Sequence, residues 1–136
     1  IVKSPMQFER IPLLEEKDMG AGERIYFFPE EEGESYVTMT GKKKNIERGE
    51  YISFYKKHDN KYMLAVENER SLIFMLLDET TTEKLHSKMK NYLSDRELKN
   101  YILTVENSEK LMFAPLDTES IVGLYNIISY VLKNRL

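Results

Sequence analysis

The sequence predicts an α+β domain: an antiparallel sheet or partly closed barrel of about seven strands with two helices, the last of which closes the chain. Three observations predict it. Residues 62–78, YMLAVENERSLIFMLLD, repeat without a gap as residues 101–117, YILTVENSEKLMFAPLD, with nine identities in seventeen positions. Each copy is followed by apolar residues at helical spacing. Between residues 24 and 60, β-branched and aromatic runs alternate with turn residues, the pattern of further strands.

Taken in order, residues 1–22 hold Pro5, Pro12, Gly20 and Gly22 and no sustained period. They read as an N-terminal arm with an edge strand at 7–14, ahead of a single domain at 23–136. Residues 24–28 and 36–40 read as a hairpin whose long loop carries Glu30, Glu31, Glu32 and Glu34. A basic turn through Lys42, Lys43 and Lys44 leads to a strand at 51–55, and His58-Asp59-Asn60 turns the chain again.

The repeated segment begins there. Tyr62/Tyr101, Leu64/Leu103 and Val66/Val105 fall at every second place, as a strand with one buried face requires, and Glu67-Asn68 and Glu106-Asn107 open matching turns. After the first hairpin, Thr80 and Glu83 stand at capping-box spacing before a stripe of Leu85, Met89, Tyr92 and Leu93. Ser94 and Glu97 form a second such box. After the second hairpin, Asp117 or Thr118 caps a helix with Ile121, Leu124, Tyr125, Ile128, Val131 and Leu132 on one side. The unit is strand, strand, helix, repeated as 62–93 and 101–132, consistent with internal duplication.

Composition narrows the function. The chain has 136 residues, 20 Lys plus Arg against 23 Asp plus Glu, 41% hydrophobic residues, and no Cys or Trp. One core is expected at this length. Without Cys there are no disulfides and no thiol nucleophile. No run of about 18 apolar residues exists to span a membrane. The formal charge of −3 argues against indiscriminate polyanion binding. The start on Ile1-Val2-Lys3, without a signal pattern, reads as the trimmed or processed end of an intracellular, cytoplasmic protein.

Seven strands and a closing helix are similar in count to pleckstrin-homology-like barrels. The resemblance is of architecture alone: that family's Trp in the last helix is absent, and its basic first hairpin loop is Glu-rich here.

Catalytic patterns are missing. Gly20-Ala21-Gly22 opens a G-x-G, but Ile25 stands where the third Gly of a dinucleotide turn belongs. Gly33-Glu34-Ser35-Tyr36-Val37 lacks the closing Gly of a nucleophile elbow. His58 and His86 have no second His or carboxylate three or four residues further on. The expectation is a non-catalytic interaction module or complex subunit with no cofactor and no metal.

Two clusters are candidates for binding. Val122, Ile127 and Tyr130 lie off the buried stripe of the last helix and, with the arm, mark a surface for another protein or a second copy of this chain. The alternative is a single-stranded RNA or DNA binder, because Lys42, Lys43, Lys44, Tyr55, Lys56, Lys57 and Lys61 interleave cations with aromatic rings on which bases stack.

Overall fold

The computed structural model describes residues 14–94 and 99–134. Over these the chain forms β1 (Glu15–Ala21), β2 (Arg24–Pro29), α1 (Glu30–Gly41), β3 (Asn45–Arg48), β4 (Tyr51–Lys56), β5 (Tyr62–Glu67), β6 (Ser71–Leu77), α2 (Glu79–Ser94), β7 (Tyr101–Glu106), β8 (Lys110–Leu116) and α3 (Thr118–Lys133). The strands make two four-stranded sheets, ordered β1-β6-β5-β4 and β2-β7-β8-β3. Each is mixed, with β1 parallel to β6 and β3 parallel to β8. The expected single antiparallel sheet or partly closed barrel of seven strands and two helices is therefore corrected. Eight strands and three helices are present among the described residues, and neither sheet closes: the chain changes sheet three times, after β1, β3 and β6.

The repeat is structural. Tyr62 lies opposite Leu77 and Glu67 opposite Leu72, just as Tyr101 lies opposite Leu116 and Glu106 opposite Leu111. Leu64 and Leu103, at equivalent places, are both buried. The likeness extends beyond the matched segment: β4 flanks β5 with Phe54 opposite Leu64, as β2 flanks β7 with Phe27 opposite Leu103. The molecule thus has an approximate internal two-fold, and Lys17 and Glu47, at equivalent places in β1 and β3, pair across it at 3.1 Å.

A second, shorter repeat makes the crossovers. Gly22-Glu23-Arg24-Ile25-Tyr26-Phe27 and Gly49-Glu50-Tyr51-Ile52-Ser53-Phe54 share Gly, Glu, Ile and Phe, and each carries the chain from one sheet into the other. The amides of Glu23 and Glu50 donate to the carbonyls of Glu106 and Glu67, at 2.9 and 2.8 Å. A Cβ at Gly22 would lie 2.6 Å from Val105 Cγ1, and one at Gly49 only 1.4 Å from Val66 Cγ1, so neither crossover has room for a side chain. The matching asparagines secure the same places. Asn68 Oδ1 accepts from the amides of Arg70 and Ser71 while its Nδ2 donates to Arg48 O just before Gly49. Asn107 Oδ1 accepts from Glu109 and Lys110, and its Nδ2 donates to Met19 O and Ala21 O just before Gly22.

The helices exchange as well. α2, which follows the first sheet's hairpin, packs on β2 of the second sheet, and α3, which follows the second sheet's hairpin, packs on β4 of the first. They meet where His86 Nε2 and Ser129 Oγ share a 2.8 Å hydrogen bond and the His86 ring stacks on Tyr125. Burial and the nearby Lys90 hold His86 below the usual histidine range, which favours the neutral ring there. The core lies between the helices and the inner sheet faces, from Tyr62, Met75 and Leu85 to Leu103, Met112 and Ile128.

Three further expectations change. The acidic loop and the strand at 36–40 are instead α1, which lies on the outer face of the second sheet. Its sheet-facing residues are Gly33, Tyr36, Val37, Thr40 and Gly41, at helical spacing but with three small members. A Cβ at Gly33 would come within 2.9 Å of Ile102, so the helix sits close to the sheet and tertiary packing overrides the β preference of Tyr36 and Val37. Glu30, Glu31 and Glu32 fill its first turn, where the helix dipole favours negative charge. Residues 15–21, read as arm, are strand β1; the rest of the arm through residue 13 and most of the edge strand at 7–14 lie outside the described residues. Asp78, not Thr80, caps α2 by accepting from the Thr81 amide at 2.7 Å, and Asp117 caps α3 from Ser120 at 2.8 Å. Glu97 of the second capping box lies outside the described residues. Among the described residues no helix is long and apolar enough to cross a membrane.

Candidate partner surface

The internal two-fold supplies a control for judging exposed residues, because positions in the repeated strands and in α2 and α3 have equivalents in the same local fold. A groove runs between the edge strand and the helix packed on it in both halves. At β2 and α2 its floor includes Ile25 and Tyr26, and its rim carries Arg24, Glu83, Lys84 and Lys88. At β4 and α3 it is lined by Glu50, Tyr51, Ile52, Ser120, Gly123 and Ile127. Position by position, Arg24 becomes Tyr51, Lys84 becomes Gly123, Lys88 becomes Ile127, and on the same helices Glu83 becomes Val122 and Asn91 becomes Tyr130. Both grooves share a Glu and an Ile at the strand, but the rim of one is charged where that of the other is aromatic, aliphatic or bare.

Tyr51 and Tyr130 are each 70% exposed, and Val122 and Ile127 are also exposed. The structure thus leaves all three helix residues singled out in the sequence outside the core, on two flanks of α3. Ile127 and Tyr130 follow Gly123 at spacings of four and three residues, on the side facing β4, whereas Val122 lies about 140° around the helix from Ile127. Gly123 escaped sequence reading, and Tyr51 reads there with the Lys-rich aromatic strand and not with α3. A Cβ at Gly123 would meet nothing within 4 Å among the described residues, so no contact among them requires the glycine. In mid-helix it costs about 1 kcal/mol relative to Ala. What it leaves is room for close approach from outside.

The basic set divides. Lys44 is mostly buried and donates to Glu106, whose side chain is 5% exposed and also accepts from Arg24 Nε at 3.0 Å. Tyr36 hydrogen-bonds the same carboxylate. Burial pushes the Glu106 carboxyl up, but the bonds from Lys44 and Tyr36 and the Arg24 charge outweigh it and hold it below the usual carboxylate range. Burial and the Glu106 charge push the Tyr36 phenol up in turn. This cluster fixes α1 and the basic turn onto β7; the equivalent Glu67, with no helix over it, is exposed. Lys42 and Lys43 follow α1 beside the second sheet, while Tyr55, Lys56, Lys57 and Lys61 belong to the β4–β5 hairpin of the first. The seven residues therefore do not share one sheet face.

Among the described residues, no three or more His, Asp and Glu side chains lie close enough to hold a metal ion. His58 is an exposed turn residue, and His86 is engaged between the helices. Comparison with protein-family models, curated proteins and solved structures gave no significant match, so the functional reading rests on the residues themselves.

Proposed function

We propose that this chain is a non-catalytic protein-interaction module, or a subunit of a complex, whose partner surface is the β4–α3 groove with Tyr51, Ile127 and Tyr130 around it. The observation that carries the reading is the difference between the two equivalent grooves. The equivalent strand-helix geometry at β2 and α2 carries a charged rim, which supports a role beyond folding for the aromatic and aliphatic residues at the other. Exposed apolar surface of this kind is characteristic of protein interfaces, and tyrosine is enriched in their centres. Val122, on the other flank, belongs to the same surface only if a partner wraps the helix.

An Ile127→Lys, Tyr130→Lys variant is expected to melt within about 1 kcal/mol of the parent, because both positions are exposed. Photo-crosslinking from position 130 in cells is expected to trap a polypeptide, with no adduct from a probe at Glu69 on the β5–β6 turn. Absence of polypeptide adducts would refute the reading. Saturable, steeply salt-dependent binding of labelled poly-dT, lost when Lys56, Lys57 and Lys61 become Glu, would establish the nucleic-acid alternative in its place.

A further inference from the structure

Among the described residues, β4 is an edge strand, hydrogen-bonded to β5 alone within its sheet. At the hairpin end the Lys57 amide donates to Lys61 O at 2.7 Å. In an antiparallel ladder the residues that exchange such bonds alternate, so Tyr51, Ser53 and Tyr55 turn their amides and carbonyls towards β5, and Ile52 and Phe54 turn theirs to the open edge. Edges are ordinarily guarded by charge or proline. β2, the equivalent strand, begins with Arg24 and ends at Pro29, whereas β4 has no proline and its one charge, Lys56, stands at its hairpin end, leaving Tyr51 to Tyr55 uncharged.

We propose that the occupant of this edge is a second copy of the chain, joined antiparallel about a two-fold axis at Ser53, so that the two first sheets continue into one another and the two α3 stripes face each other. This rests on the partner-surface reading above and names its partner. The strand is self-complementary. With Ser53 opposite its own copy, Ile52 lies opposite Phe54 and the outward-facing backbone groups pair. Tyr51 meets Tyr55 on the outer face, twice. Glu50, just before the strand, comes beside Lys56 at both ends, an opposite-charge match that a heterologous strand would not require of β4 itself. Shifting the pairing by one step in either direction removes the Tyr51–Tyr55 and Glu50–Lys56 matches. The axis also brings together the α3 faces bearing Gly123, where the absent side chain permits close helix approach.

The test is sedimentation velocity on the intact chain, beside Glu50→Lys, Lys56→Glu and the variant carrying both changes. The expected result is a dimer whose dissociation constant rises about tenfold in each single variant, because like charges then oppose each other at both ends, and recovers in the double variant. Gly123→Ala guards against loss of folding: it is expected to raise the melting temperature yet weaken the dimer. A monomeric parent, or a dimer that neither the charge exchange nor Gly123→Ala alters, overturns the proposal. If such an unaltered dimer still dissociates on Ile127→Lys, the partner surface stands and the strand-edge pairing is wrong; if it does not, both fail.

Discussion

Gly49→Ala is expected to abolish the native fold or to cost more than about 4 kcal/mol, the range reached only when a substitution has nowhere to go. The added Cβ would sit 1.4 Å from Val66 Cγ1 and 2.7 Å from Val66 Cβ. The crossover at Gly49 is pinned on both sides, by its own amide to Phe113 O and by the Glu50 amide to Glu67 O, so the backbone has little freedom to retreat. The double variant with Val66→Ala removes the worse clash but leaves the Cβ contact. It is therefore expected to be less destabilised than the sum of the two single changes, a coupling that urea denaturation of all four proteins measures directly. Additive losses would mean that the crossover is not where the structure places it.

Glu106→Ala ranks next, with an expected loss of about 3 kcal/mol. The change strips Lys44 of its carboxylate partner while that cation remains mostly buried, and deprives Tyr36 of an acceptor. Glu106→Leu combined with Lys44→Met is expected to recover most of the loss, because a buried ion pair can be replaced by apolar side chains of similar volume. The pH dependence follows from the same geometry. The Glu106 carboxyl is held below its ordinary value of 4.5, so its contribution is present above the unfolded-state value and disappears as pH falls through that value towards the folded one. Denaturation midpoints of parent and Glu106→Ala proteins should therefore converge on acidification. Parallel curves down to the acid limit would show that this pair does not anchor α1.

Both predictions concern features that patterning in the sequence reveals unevenly. β4 to β8, α2 and α3 were legible because each buries one face with large residues at a regular period, as Leu64, Val66, Leu85 and Ile128 do. α1 was not, since its buried face is built from Gly33, Thr40 and Gly41 as much as from Tyr36 and Val37, and close approach to Ile102 leaves no signature of hydrophobicity. β1 was obscured by Glu15, Glu16, Lys17 and Asp18, the charges of an edge strand whose pairing is with distant β6. The crossover hexapeptides were visible in principle, but they recur at a spacing of 27 residues, whereas the larger repeat recurs at 39, so a search at one fixed period passes over them. Of the partner surface, Ile127 and Tyr130 were readable as an excess of apolar residues around α3. Tyr51 and Gly123 were not, because the helix that follows one sheet packs on the other.

The central claim is that the β4–α3 seam is where this protein associates, and amide hydrogen exchange at Ile52 and Phe54 tests it most directly. These amides point to the open edge of β4, and Ile25 and Phe27 occupy the equivalent places on β2. Exchange at Ile52 and Phe54 is predicted to slow as protein concentration rises, while Ile25 and Phe27 exchange at an unchanged rate. Equal and concentration-independent exchange at all four would contradict the claim.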